Sequence, residues 1–411
     1  MRISRVLPAL SAALVMLAAG PASAGHLTTL YTFCTVSGCP DGSGPHQIML
    51  DARGDLVGAT FSGGADIAGT VFQLRPKGRR FKLIHTFCSH VRRDCRDGEF
   101  AFGAPTADSQ GNLYAGTEHG GRREGGVIYE LTPHHQGYSF HVIHDFCAMA
   151  HCADGRGSDG TFAIDAAGNI YGTAFAGGAH QGGALFELSP GADGWTYKVL
   201  YDFCARRHCA DGKEPLNGVT YAGASSGAPY DGHSPLYGTT REGGLKNHGA
   251  VFEFTPHKGE WKEKVLYRFC PHDECSGGAY PAGYGALALD GAGNIYGTTG
   301  SGGPYDGGTI YKLAPASSGW TETVLYDFCP QSDCTDYVEA NPILDLAGNL
   351  IGTNNHALYK LDMTSGRFKV LHQFCTLPNC SDGDGLEANV VMNAAGDFFG
   401  TTSGTIFEYK P

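Results

Sequence analysis

Fourteen cysteines fall into seven pairs along the chain: Cys34 with Cys39, Cys88 with Cys95, Cys147 with Cys152, Cys204 with Cys209, Cys270 with Cys275, Cys329 with Cys334, and Cys375 with Cys380. Each pair follows an aromatic strand end of the type Tyr-Asp-Phe-Cys, so one unit is repeated seven times. Six pairs have the spacing C-x4-C and the second has C-x6-C. An even number of cysteines at regular spacing in an exported chain reads as disulfides, whereas zinc sites favour C-x2-C knuckles that converge. Each bridge closes a short ring, which limits its loop-entropy contribution to about 2 kcal/mol.

The export expectation comes from the first residues. Arg2 and Arg5 precede an apolar run from Val6 to Leu17, followed by Ala22-Ser23-Ala24. That order of basic, apolar and small residues is a secretory signal peptide. We expect residues 1–24 to be removed near Ala24, leaving residues 25–411 as a single domain, secreted or periplasmic. The apolar run is too short to span a bilayer well. Without the signal peptide the chain holds 27 basic residues against 41 acidic ones. That balance argues against nucleic acid and anionic membranes as partners. Glycine is 62 of 411 residues with an ordinary hydrophobic fraction, which indicates a turn-rich globular chain.

The clearest unit contains four β-type runs: Leu287–Asp290, Ile295–Thr299, Thr309–Leu313 and Thr321–Cys329. A turn, Gly291-Ala292-Gly293-Asn294, joins the first two, and a glycine-rich loop joins the second and third. Asp51, Asp108, Asp165, Asp290 and Asp345 each open such a turn three residues before a glycine, and we read them as turn formers. Asp-Gly pairs after the second cysteine, as at Asp154-Gly155, read as tight turns into the next unit. Phe33, Phe87, Phe146, Phe203, Phe269, Phe328 and Phe374 should pack between units.

A four-stranded meander repeated seven times fits a β-propeller. The chain ends agree. His26 to Cys34 matches only a fourth strand, and Thr405 to Pro411 ends after a third. Joined, they make one blade, which closes the ring and removes its exposed edges. The fold class expected is therefore all-β, a seven-bladed β-propeller with four-stranded blades, closed by the N-terminal strand.

In such a ring the glycine-rich loops and the cystine loops share one face, here called the top. Blades 1 to 5 carry long loops: 61–69, 118–126, 175–183, 241–249 and 300–308. Blade 6 has only Asn354-Asn355-His356-Ala357 and blade 7 only Ser403-Gly404, so the top should be open over blades 6 and 7. An insertion at 222–234 belongs to the opposite face of blade 4. The ligand-binding candidates are the loop residues Glu118, His119, Arg122, Arg123, Glu124, His180, Arg241, Glu242, Lys246, His248, Tyr305 and Asp306. His90, His151, His208 and His272 lie within cystine loops, and isolated surface histidines are the commoner reading. Gly223-Ala-Ser-Ser-Gly227 and Gly155-Arg-Gly-Ser-Asp-Gly160 have the G-x-S-x-G and G-x-G-x-x-G spacings, but neither follows a strand and opens a helix, so neither reads as a nucleophile elbow or a Rossmann turn, and no H-E-x-x-H or P-loop is present. Trp195, Trp261 and Trp320 are too few for a tryptophan-docked quinoprotein propeller.

Runs such as Gly293-Asn-Ile-Tyr-Gly-Thr-Thr299, then Gly308-Thr-Ile-Tyr311, resemble the GloVer tandem repeat of exported bacterial proteins across essentially the whole mature chain. The resemblance implies export and a repeated β architecture, and no catalytic residues. The leading expectation is a non-enzymatic module, acting as a monomer without cofactor or metal, that binds a glycan, peptide or protein on the top face. The alternative is a lyase or glycoside hydrolase on that face.

Overall fold

The computed structural model describes residues 25–89, 95–135, 137–271, 275–317, 319–329, 331 and 336–411. The expected signal peptide, His90, His272 and Cys334 lie outside the described residues.

Seven antiparallel sheets form a ring; in six the strands run in chain order from the axis outward, and in blade 7 the outermost strand comes from the N-terminal side of the chain. Blade 1 is typical: Ser43–Leu50, Leu56–Ser62, Thr70–Arg75 and Arg80–Thr86. Its second and third strands are almost wholly buried, while the fourth alternates between exposed and half-buried residues. The innermost strand shortens to two residues in most other blades, as at Thr106–Ala107 and Ile343–Leu344. Blade 7 is closed as expected. His26–Thr32 pairs antiparallel with Thr405–Lys410, His26 opposite Lys410 and Thr32 opposite Thr405.

Seven hydrophobic clusters fill the spaces between blades. Phe87 belongs to the cluster joining blades 1 and 2, and Phe146, Phe203, Phe269, Phe328 and Phe374 occupy the next five. Phe33 sits with Phe72 and Ile406 where blade 7 meets blade 1. Each of these rings is at most 4% exposed, so the phenylalanine before the first cysteine is an interface plug.

Each turn aspartate closes its own loop. Asp108 Oδ1 accepts N–H bonds from Gln110 and Asn112, at 2.8 and 2.9 Å. Asp165, Asp290 and Asp345 repeat the arrangement, and Asn393 replaces the aspartate in blade 7, with Asp397 as its partner. Burial alone would raise the Asp290 carboxyl, but hydrogen bonds from Asn294, Tyr296 and the turn N–H groups hold it below its usual range.

Six of the expected cysteine pairs are bridged, with Cα separations of 3.9 to 4.4 Å: Cys34 with Cys39, Cys88 with Cys95, Cys147 with Cys152, Cys204 with Cys209, Cys270 with Cys275, and Cys375 with Cys380. The seventh, Cys329 with Cys334, involves a residue outside the described ones. The cystine loops are not purely irregular. In the chain's last one, Pro378–Cys380 makes a single tight turn in which Asn379 holds left-handed backbone, φ 55°. Ala150–Cys152 and Arg207–Cys209 do the same in blades 2 and 3, with His151 and His208 at φ 56° and 58°. The turn brings the two cysteines, five residues apart, to bonding distance.

The aspartate after the second cysteine does more than turn the chain. Asp154 accepts N–H bonds from Ala148 and Met149 inside the cystine loop, as Asp211 does from Ala205 and Arg206 and Asp382 from Thr376 and Leu377. The glycine beside it has φ near 100°, and at Gly42, Gly98 and Gly212 a Cβ would collide with Thr60, Thr117 and Thr240. The glycine-rich loops bond directly to the cystine loops: Gly64, Gly121, Gly178, Gly244 and Gly303 donate to carbonyls of Cys39, Cys95, Cys152, Cys209 and Cys275. The two sets of loops therefore share one rim.

Candidate functional site

Seven lead-in segments run from this rim to the innermost strands. The residue six positions before each turn residue falls on them: Pro45, Phe102, Asp159, Leu216, Tyr284, Glu339 and Glu387. Repeated threonines hold these segments. The first threonine of the Gly-Thr-Thr phrase donates its hydroxyl to a lead-in carbonyl of the next blade: Thr298 to Ala340 at 2.9 Å, Thr353 to Ala388 at 2.8 Å, and Thr401 to His46 at 2.6 Å. Thr173 does the same to Pro215 at 2.9 Å. Gly160 lies so close to Gly218 that neither could carry a Cβ, and this lets blades 3 and 4 meet at the axis.

Aromatic rings cross the floor of the top face from rim to axis. Phe61, at the start of the blade 1 loop, stacks on Phe100 at 4.9 Å and lies 4.7 Å from Phe102. Phe102 meets the His46 ring edge-on at 5.2 Å, and His46 lies 4.3 Å from Tyr284, which reaches in from blade 5. Phe100, Glu214 and Tyr280 hold left-handed backbone, φ 58°, 60° and 53°, at a position where blades 1 and 3 place Gly44 and Gly157. Such backbone is unfavourable for bulky residues and clusters at binding sites.

Two recesses flank this wall. His46, Phe61, Phe102, Glu387 and Ser403 line one of about 230 Å³, beside the shortened blade 7 loop. Tyr284, Arg241, Tyr280 and Glu339 line the other, of about 200 Å³. On the opposite face an apolar hollow of about 290 Å³ lies between the innermost strands of blades 4 to 7, with Ala224 of the blade 4 insertion at its edge.

Polar groups along the axis lack partners. Both ring nitrogens of His46 and both amide atoms of Gln47 are buried without hydrogen bonds, as are Ser158 Oγ, Asp159 Oδ1 and Asn217 Nδ2. Burial pushes the His46 imidazole down to about 4 and raises the Asp159 carboxyl, which also faces Glu118. An unpartnered buried polar group is destabilising by about 1–3 kcal/mol, so these axial atoms are ready acceptors and donors.

Among the loop residues singled out from sequence, Glu118 and Arg241 reach this floor, and His119 stands beside Glu118 at 3.6 Å. His248 packs against Tyr280 at 5.1 Å between them and the rim. The others lie farther out. Arg122 Nε is 3.8 Å from Asp145, Arg123 donates to the Cys147 carbonyl, and Glu242 pairs with Lys213 at 2.6 Å. Asp306 accepts the Gly302 N–H to hold its own loop, and Glu124, His180, Lys246 and Tyr305 are exposed on loop tips. His46, Phe61, Phe100, Phe102, Asp159, Tyr284, Glu339 and Glu387 were missed. Counting six residues back from each turn would have found most of them.

A family model described as the Gloeobacter/Verrucomicrobia repeat matches residues 20–234, 102–357 and 232–411. No curated protein matches. Among solved structures, the extracellular domain of a proposed one-component system, BT4673 of B. thetaiotaomicron, aligns with TM-score 0.57 at 10% identity, over 92% of this chain and 40% of that one. The extracellular domain of a proposed hybrid two-component system, BT3049 of the same organism, aligns with TM-score 0.54 at 12% identity, over 93% and 41%. The chain thus spans about two fifths of the length of these domains, and at such identity the likeness is one of fold. Among the described residues no helix is long and apolar enough to cross a membrane.

Proposed function

Taking as premise that the chain belongs to the Gloeobacter/Verrucomicrobia repeat family, we propose that its propeller is a binding module acting outside the cytoplasm, with a glycan as ligand on the top face. The observation that carries this reading is the aromatic run Phe100, Phe61, Phe102, His46 and Tyr284, which leads from rim to axis. Sugar rings present apolar faces to such a platform and hydroxyls to flanking carboxylates and amides. The short connections of blades 6 and 7 leave that end accessible to a chain longer than one residue. A cystine in nearly every blade and the basic-apolar leader support a site outside the cytoplasm.

Titration calorimetry of the oxidised protein against soluble oligosaccharides tests this. Binding weakened about tenfold by Phe61→Ala or Phe102→Ala is expected. Saccharide affinity indifferent to both substitutions, or tighter binding of peptides, would count against it. A second reading, a lyase or glycoside hydrolase, is favoured by the buried Asp159 facing Glu118, where burial and the neighbouring carboxylate raise the Asp159 carboxyl above its usual range. Accumulating cleavage products, lost in Asp159→Asn, would select it.

A further inference from the structure

The aromatic platform does not explain the charge beside it. Glu118, Asp159, Glu339 and Glu387 come from four blades, and all four act electrostatically on the Tyr284 hydroxyl. Few cations offset them. Arg241 acts on Glu339, and His119 stands 3.6 Å from Glu118. Glu387 is exposed and has no cationic partner among the described residues. It lines the recess that holds Phe61, Phe102 and His46. His46 is 6% exposed with both nitrogens unpartnered, Gln47 is 1% exposed in the same state, and Asp159 Oδ1 adds a buried acceptor.

A divalent cation is a poor match. It needs several oxygen ligands converging on one point. Among the described residues, no three of these carboxylates and imidazoles bring ligand atoms within 4.8 Å of one another. The negative groups are instead spread around aromatic faces, an arrangement that suits an organic cation. An ammonium gains from the ring faces and from carboxylates that remain partly desolvated.

We propose that the axial floor selects glycans carrying free primary amines, with the sugar ring on Phe61 and Phe102 and the ammonium directed to Glu387 and the carboxylates around Tyr284. This deepens the glycan reading and rests on it. The amine discriminates against N-acetylated and neutral sugars of the same linkage, which offer the ring without the charge.

Calorimetry on the oxidised full chain would compare three oligomers of one length and linkage: glucosamine, N-acetylglucosamine and glucose. The glucosamine oligomer should bind at least tenfold tighter than the other two, and the advantage should shrink with added salt. Glu387→Gln should weaken the glucosamine oligomer about tenfold, a clearly larger loss than it causes for the glucose oligomer. Because Glu387 is exposed, this variant should fold normally, and Glu339→Gln serves as a second probe. Equal or tighter binding of the neutral or acetylated oligomer overturns the charge selection while leaving the glycan site standing. Failure of all three oligomers overturns both. Spermidine binding as tightly as the glucosamine oligomer overturns the proposal in favour of general attraction to an acidic protein. Calcium alone binding stoichiometrically, with loss in Glu387→Gln, overturns it in favour of a metal site.

Discussion

The turns on one face of the ring and the lead-in segments on the other are built from the same repeat and obey opposite rules. The turns use nearly one sequence in blade after blade, and their carboxylates are satisfied by their own loops, as at Asp108 and Asp165. The lead-ins carry six residue types in seven blades, Pro45, Phe102, Asp159, Leu216, Tyr284, Glu339 and Glu387, and they gather unpartnered polar atoms. In a ring of equivalent units, sameness reports what each blade needs in order to stand. Difference reports what only one place in the ring has to do.

Four perturbations would break or sharpen that contrast. Reducing the cystines attacks the repeated part and should have the largest effect. Six bridges at about 2 kcal/mol each sum to roughly 12 kcal/mol, comparable to the stability of a whole domain. The reduced protein should unfold well below the oxidised melting temperature, as read by circular dichroism. Intact melting after full reduction would remove the cystines from the scaffold.

His46 tests the axial part through pH. Its imidazole is held near 4 in the folded chain and returns to about 6.5 when unfolded. Between those values the unfolded chain binds the extra proton. Stability should therefore fall as pH drops from about 6.5 to about 4, by roughly 3 kcal/mol, and level off below. Glu263 acts in reverse over an overlapping window. Burial, opposed by Arg206, raises it to about 7, so its folded state holds a proton that the unfolded chain releases, and stability falls as pH rises from about 4.5 to 7. The decisive quantity is the difference in denaturation slope between wild type and His46→Phe. Parallel curves would mean that His46 is satisfied after all.

Asp108→Ala should destabilise by about 1–3 kcal/mol, since Gln110, Asn112 and Tyr114 all donate to that carboxylate. Asp165→Ala should have a similar effect, and neither should alter ligand affinity. Phe61→Ala should act on affinity as well. The ring is 36% exposed but packs against Phe100 and Phe102, so denaturant stability should fall by about 1–2 kcal/mol while affinity falls about tenfold. A large stability loss with unchanged binding would make Phe61 a piece of the scaffold.

The scaffold was legible because it is local and periodic. Strand alternation, Asp-to-Gly turns, cysteine spacing and two half-blades at the chain ends are all patterns within a short window, and they led directly to seven blades and to the pairing of His26–Thr32 with Thr405–Lys410. The floor was not legible in that way. Tyr284 meets His46 only because closure brings blade 5 and blade 1 to one axis, and no local pattern encodes that meeting. Charged loop residues looked like better candidates, yet several of them serve their own loops, as Asp306 does for the Gly302 N–H and Glu242 for the Asn247 amide. The usable signal was divergence at one fixed offset from an otherwise constant turn.

The pairing of His26–Thr32 with Thr405–Lys410 also dictates a timetable. A polypeptide emerges from its N-terminus first, yet His26–Thr32 has no neighbour until Thr405–Lys410 has appeared. Six blades can assemble in order while that strand waits. Contacts such as Thr401 to His46, 355 residues apart, can form only at the end. The axial floor takes residues from both sides of that final seam, so a partly made or clipped chain would hold well-formed blades and an incomplete floor.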